Sequence, residues 1–572
     1  MPYTPPLEEV RFLLREVAGF DRVQATGRFA EATPDVADAV LAEAGRLSRE
    51  VLEPLRRTGD REPARLENGV VRMPPGFPEA YAQLAEGGWV CVSAPSAHGG
   101  MGLPVTLQAA INDMMSAANL GLQNCLLLTQ GQIEAIAAHA SDELKSVFLP
   151  KLVSGEWSGT MNLTEPQAGS DVGALTARAE PAGDGTYRIT GQKIYITYGD
   201  SDLVENVVHL VLARLPGAPA GTRGISLFLV PKRLPDAAGA AGVANRVSVA
   251  GLEHKMGLHA SPTCTMEYDG ATGWLVGEEG GGMAAMFTMM NNARLSVGVQ
   301  GVGVAEGATQ AALDWALARR QGRSPLPEGE GTGAIVDHAD VRRMLAAMRA
   351  ETFAARAIAL SCAVAIDMAT ATGEAEWAAR AALLTPIAKA WGTEVGHAVA
   401  QEAIQVHGGM GYVEETGVAQ FARDVRVAAI YEGTNGIQAM DLVGRKLADG
   451  GEAATNLIDE IQAGAEAARG ALPELAAPVW QAAETLREAT EWMVEQPVQE
   501  RFAGALPYLR AFARVLGAHC HLAAARAGGT RYRALAAVHV HRLLPEHDAL
   551  LAEARAGAPG LYALSPDDLA AA

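Results

Sequence analysis

AAIYEGTNGIQAM, residues 428–440, places one carboxylate, Glu432, between an aromatic residue and a Gly-Thr-Asn-Gly turn. It follows an apolar run and leads into a segment with helical spacing. Gly433 and Gly436 let the backbone approach a ligand closely. Thr434 and Asn435 add a hydroxyl and an amide. An acid isolated in apolar surroundings has a raised pKa, which suits a general base working near neutral pH. The same residues also describe a helix start, with Thr434 or Asn435 as its N-cap.

Outward from this stretch, composition sets the class. The chain has 572 residues, 49% of them apolar, enough for three or four domains. Aromatic residues make up only 5% and glycine is frequent, which with abundant alanine reads as tightly packed helical protein. A net charge of −20 opposes general binding to nucleic acid or to an anionic membrane, both of which need a positive field. Cys91, Cys125, Cys264, Cys362 and Cys520 are scattered and form no CxxC pair, so neither a disulfide framework nor a thiolate metal site is expected. His519 and His521 lie in an Ala-rich helical stretch with no carboxylate at matching spacing, and His539 and His541, two apart, cannot share a helix face, so no metal is expected there either. The start MPYTPPLEEV has no basic segment leading into an apolar one, and no unbroken apolar run suggests a membrane span. The expected location is cytoplasmic.

The expected fold class is mostly α with a central β domain. Residues 1–34 form an N-terminal arm with one short helix over 8–20, and 35–159 an N-terminal helical domain. Residues 160–278 change period: LTARAEP, TYRITGQKIYIT, NVVHLVLARL and GISLFLV read as strands between Gly, Asp and Pro turns. An antiparallel, barrel-like domain is expected. Helical spacing returns over 279–447, and LVGRKLADGG at 442–451 marks the boundary to a helical extension, 448–572, packed by Trp480, Trp492 and Tyr508. His139 is expected on a helix surface, and Met114 and Met115 in the helical core.

Further stretches carry candidate chemistry. TEPQAGSD at 164–171 offers Thr164, Ser170 and backbone amides to an anionic or carbonyl-rich ligand edge, or forms a ligand-free turn. GQKIYITYG at 191–199 puts Tyr195 and Thr197 on one strand face. Arg294 sits in an apolar helix, where arginines often snorkel to water. ALARRQGRSP at 316–325 contributes Arg319, whose paired N–H donors match a diphosphate. QVHGGMGY at 405–412 has Gln405, Gly408 and Gly409 in a turn that can receive a phosphate, or that simply ends a helix.

YEGT at 431–434, together with EPQAGSD, KIYIT and QVHGGMGY in this order, resembles the acyl-CoA dehydrogenase family over residues 35–447. The resemblance implies FAD as cofactor and oxidation of an acyl-CoA to a trans-2-enoyl-CoA. Glu432 would take the α-proton while the flavin takes the β-hydride. It implies Thr164, Tyr195, Thr197, Arg319, Gln405, Gly408, Gly409 and Thr434 as cofactor contacts, and Ser170 and Arg294 as substrate contacts. Family members often have Trp at the Tyr195 position and Phe at the Gly322 position. They also lack the insert PEGEGTGAIVDH, 327–338. The QVHGGMGY element implies contact with a neighbouring subunit's cofactor, hence at least a homodimer. Electron-transfer flavoprotein is the implied electron acceptor. The length and tail resemble the family's long forms, which include enzymes of 3-methylthiopropionyl-CoA. A flavin-dependent acyl-CoA oxidase and a DNA-associated flavoprotein are the alternatives, the latter opposed by the charge. No G-x-G-x-x-G fingerprint stands in a strand–helix context.

Overall fold

The computed structural model describes residues 3–324 and 332–570. Packing groups them into two compact units. One holds residues 1–45, 109–117 and 294–572; the other holds 46–108 and 118–293.

The second unit carries the sheet. Trp157–Asn162 pairs in parallel with Asn206–Arg214, which pairs antiparallel with Ile225–Pro231. Ile225–Pro231 pairs with Thr263–Val276, which also takes Tyr187–Thr197 and Val247–Leu252 as antiparallel neighbours. Arg178–Pro181 joins Tyr187–Thr197 to Asn206–Arg214 and so closes a ring of strands. The ring agrees with a barrel-like domain, but the sheet is mixed, because Trp157–Asn162 runs parallel to its partner. That strand is buried along its whole length, as is Ile225–Pro231. Burial on both faces explains runs without alternation. Tyr187–Thr197 and Thr263–Val276 keep more solvent contact and carry polar residues between their apolar ones.

The helices leading into this sheet follow the expected spacing. Val105–His139 is one long element, interrupted at Asn119, whose φ and ψ of −158° and 88° are not helical. Asn119 Oδ1 accepts from the Leu122 N–H at 3.1 Å and so restarts the helix, while its Nδ2 donates to the Leu52 carbonyl at 3.2 Å. Met114 and Met115 are fully buried. His139 differs from the surface expectation: it is half-buried and hydrogen-bonded to the Thr288 hydroxyl at 2.7 Å.

The first unit is helical. Gly282–Ala318 enters it at Arg294, and Ala339–Thr372 and Ala375–His407 form its longest pair. Ala339–Thr372 is long and apolar enough to cross a membrane, but 83% of its apolar window is buried inside the protein, as a core helix requires. Gly298 and Gly301 meet Gly392 and Gly396 where Gly282–Ala318 crosses Ala375–His407. A Cβ at Gly301 would lie 2.1 Å from the Gly392 carbonyl oxygen, so only glycine permits this approach.

The N-terminal arm forms two helices, Leu7–Glu16 and Phe20–Gln24, separated by Gly19 at a φ of 73°. It packs on Ala339–Thr372, and Leu7–Glu16 also meets Ala505–Ala527 of the C-terminal extension. Ala505–Ala527 packs in turn on Ala339–Thr372, Ala375–His407 and Asn435–Asp441. Its Tyr508 is buried and hydrogen-bonded to Thr490 at 2.8 Å, whereas Trp480 and Trp492 are only half-buried. The extension therefore shares one core with the helices before it. Of the insert 327–338, residues 327–331 lie outside the described residues. Its remainder forms a short strand, Thr332–Ala334, paired with Arg320–Arg323, and a 3-10 turn, Ile335–Asp337.

Candidate active site

Among the described residues, five that are not glycine adopt a positive φ: Asn68, Tyr195, Tyr198, Leu258 and Glu432. Such a conformation costs an L-residue about 1–2 kcal/mol and persists only where its surroundings hold it. Two of the five, Glu432 and Tyr195, are residues the sequence marks for chemistry.

Glu432 lies in the first unit, at a φ of 56°, between a short 3-10 turn, Arg426–Ala429, and the helix Asn435–Asp441. Thr434 caps that helix, its hydroxyl accepting from the Ile437 N–H at 3.2 Å. The helix-start reading of this stretch is thus realised, and the strained carboxylate sits two residues before the cap. Gln438 reaches back, its Nε2 donating to the Glu432 and Gly433 carbonyls at 3.2 and 3.4 Å. Neither the Glu432 carboxylate nor its own N–H bonds to a protein group among the described residues. The carboxylate is half-exposed as a residue but enclosed enough that burial raises its pKa to about 7, against the pull of Arg294 and then Lys389. Tyr431 donates to Gln300 Oε1, and burial holds its hydroxyl above the usual phenol range.

Arg294 is 5% exposed, so it does not snorkel to water. Its guanidinium stands 3.6 Å from the buried Asp441 carboxylate, and burial lowers its pKa. The glycine crossing explains its place: Arg294 lies one helical turn before Gly298. Lys389 stands at the same crossing, with the Cβ position of Gly298 3.1 Å from its Cα. The sequence reading missed Lys389. The signal was a single lysine in the otherwise apolar run LLTPIAKAW.

The other candidates of this unit lie at helix ends. Arg319 is exposed beyond Ala318, and its N–H donates to the Trp315 carbonyl at 2.8 Å. No carboxylate pairs with it among the described residues. Gln405, Gly408 and Gly409 are exposed, and Gly408 ends Ala375–His407 at a φ of 62°. A Cβ on Gly408 or Gly409 would meet nothing within 4 Å, whereas one on Gly411 would lie 2.2 Å from the Ile404 carbonyl oxygen. The motif therefore contains both kinds of glycine: Gly411 is required by packing, and Gly409 leaves its backbone open. His407 is buried and stacks on Trp315, ring centres 4.9 Å apart.

In the second unit, Thr164 and Tyr195 are brought together by strand pairing, because the Ile194 N–H donates to the Thr164 carbonyl at 2.9 Å. The register against Thr263–Val276 slips there: Lys193 faces Met266 and Ile196 faces Cys264. Two residues, Ile194 and Tyr195, oppose one, which is a β-bulge. The bulge turns the Tyr195 ring outward, 61% exposed. Thr197 follows at the strand end, half-buried, its carbonyl accepting from the Thr160 hydroxyl at 2.7 Å. The TEPQAGSD turn is pinned by Glu165, which takes Lys193 Nζ at 2.8 Å and the N–H groups of Thr176 and Ala177. Burial works against its ionisation, yet Lys193 and these donors hold Glu165 at about 2. Ser170 is exposed on the same turn. Among the described residues no cluster could hold a metal ion.

Four family descriptions match successive stretches of the chain. The description "Acyl-CoA dehydrogenase, N-terminal domain" matches residues 37–156, the middle domain 160–271 and the C-terminal domain 280–447. "Acetyl-CoA dehydrogenase C-terminal like" matches 457–565. The chain is 45% identical over 523 residues to 3-methylmercaptopropionyl-CoA dehydrogenase of Ruegeria pomeroyi, covering 89% of this chain and 88% of that one. It is 41% identical over 358 residues to a butyryl-CoA dehydrogenase of Syntrophomonas wolfei, covering 60% and 58%. Caenorhabditis elegans ACDH-11, solved with C11-CoA, shares the fold with a TM-score of 0.80 at 20% identity, over 95% of this chain and 92% of that one.

Proposed function

Because the chain belongs to the acyl-CoA dehydrogenase family, we propose that it oxidises an acyl-CoA thioester to the trans-2-enoyl-CoA with Glu432 as the base. The observation that carries this reading is the Glu432 turn. A strained residue presents a carboxylate with no hydrogen-bond partner among the described residues, titrating near 7, beside two buried cations. A thioester α-proton is very weakly acidic, so removing it needs a placed base and a donor for the oxygen that gains charge. Glu432 supplies the base through its carboxylate, and its unengaged N–H is a donor of the right kind. Arg294, on the neighbouring helix, favours the carboxylate form and is a cation for the thioester's coenzyme A portion. Ser170 is the second candidate contact to that portion.

The residues present suit FAD. Thr164 and Thr197 offer hydroxyls beside the outward Tyr195 ring, Arg319 offers an exposed guanidinium, and Gly408 and Gly409 offer backbone that no Cβ obstructs. Gln405 and Thr434 complete the set. FAD, when bound, supplies the acceptor for the β-hydrogen and its electron pair. The electron acceptor we favour is electron-transfer flavoprotein. The exposed Gln405, Gly408 and Gly409 suit contact with a second copy, so the working unit we favour is at least a dimer, placed in the cytoplasm.

For the substrate we favour a short acyl group, with 3-methylthiopropionyl-CoA ahead of butyryl-CoA on the longer and higher similarity to the Ruegeria enzyme. Anaerobic titration with 3-methylthiopropionyl-, butyryl-, branched and long-chain acyl-CoA tests this. Bleaching of the flavin band by the first at the lowest concentration is expected. Preference for a long or branched chain would overturn the substrate, and yellow protein that no thioester bleaches would overturn the reaction.

A further inference from the structure

Lys389 has no solvent exposure, and its ammonium makes two hydrogen bonds. It donates to the Ala428 carbonyl at 2.9 Å and to Asn435 Oδ1 at 3.0 Å. These acceptors bracket Glu432, one four residues before it and one three residues after. Asn435 is held further by the same helix: its Nδ2 donates to the Ala390 carbonyl at 3.3 Å and to Thr393 Oγ1 at 3.1 Å. It also reaches Glu394 Oε1 at 3.4 Å, and Glu394 accepts from Arg510 Nε of the C-terminal extension at 2.7 Å. No carboxylate pairs directly with Lys389 among the described residues.

A buried ammonium that meets only neutral acceptors is costly, and a packed apolar side chain would fill the space at lower cost. What the lysine adds is a donor to both ends of a strained turn and a positive charge beside its carboxylate. We propose that Lys389 is the positioning residue of Glu432, fixing the backbone of the turn from both sides and favouring the ionised carboxyl. This rests on the reading of Glu432 as the base.

The charges around the pair are Arg294 from Gly282–Ala318, Asp441 and Arg445 at the end of Asn435–Asp441, Glu394 on the lysine's own helix, and Arg510 from Ala505–Ala527. Burial lowers Lys389 to about 7, with Glu432 pulling it back up and Arg294 pushing it down. Lys389 and Glu432 therefore titrate in the same range, and each favours the charged form of the other.

The test uses the full-length flavoprotein and K389M, K389Q and K389R, with E432Q alongside. Flavin reduction by the most reactive thioester of the panel is followed against pH, and hydrogen exchange is followed over residues 428–438. K389M should lose exchange protection there, and the acid limb of its reduction profile should move up by about one pH unit. K389Q should keep part of the protection but show the same moved limb, because it donates without charge. K389R should return the limb to the wild-type position. Wild-type exchange and an unmoved limb in K389M and K389Q would overturn the proposal; should K389M fail to fold, K389Q and K389R decide it alone. An E432Q protein that is still reduced would instead overturn the base assignment, and the exchange data would still report whether Lys389 holds the turn.

Discussion

At the residue scale, Glu432 combines a left-handed backbone with a carboxyl that burial raises to about 7. A base works only when ionised, so the rate of flavin reduction should rise with pH through about 7. E432Q should cost about 10²–10⁴-fold in that rate while FAD stays bound, as single-turnover absorbance will show. The same shift fixes a stability sign. The folded pKa lies above the ordinary carboxyl value, so the folded state holds the extra proton between about 4.5 and 7. Stability from this group is therefore lost as pH rises through that window. Gln resembles the protonated form, so E432Q should melt higher than wild type at pH 8 and equally at pH 4. A lower melting temperature for E432Q at pH 8 would contradict the strained-acid account.

At the element scale, two glycines two positions apart in QVHGGMGY, Gly409 and Gly411, do different work. Gly411 lies where a Cβ would strike the Ile404 carbonyl, while Gly409 faces open space. G411A should lower the melting temperature of the apoprotein, because a backbone oxygen cannot step aside. G409A should leave that temperature unchanged and weaken FAD retention, measured by flavin released on gel filtration. Equal thermal effects would mean both glycines serve packing alone. Periodicity reveals such elements well: the long helices and the sheet's strands were legible in the spacing of apolar residues. The bulge at Tyr195 was not, since nothing in GQKIYITYG records that two residues face one across the ladder. The parallel partner of Trp157–Asn162 was likewise invisible, because pairing direction depends on the path of the chain between strands.

At the scale of the whole molecule, Glu9 joins parts that the sequence separates. This arm residue is 2% exposed. It takes Arg356 at 2.6 Å, Arg349 at 2.8 Å and Arg531 of the C-terminal extension at 3.2 Å. Arg356 also binds Asp113 at 2.6 Å and Glu306 at 2.9 Å. Burial opposes ionisation of Glu306, yet Arg349 and Arg356 hold it at about 2. Its contribution to stability is present above the ordinary carboxyl range and disappears as pH falls through about 2. E9A leaves buried arginine charge without one of its partners and should cost about 3–5 kcal/mol in urea unfolding. A cost within about 0.5 kcal/mol would show that the arm is held by apolar packing alone.

The sequence by itself determined the class of elements and their order and singled out Glu432 as the candidate acid, since apolar spacing and the short motifs are local properties. YEGT, TEPQAGSD and QVHGGMGY name their residues without any fold. Tertiary structure alone decided what surrounds that acid. Lys389 stands 43 residues before Glu432 and Arg294 stands 138 before it. Both reach its neighbourhood only because Gly298, Gly301, Gly392 and Gly396 let two helices approach to backbone contact. The pKa of a carboxyl depends on charge and burial in space, and neither distance is written in the order of the residues.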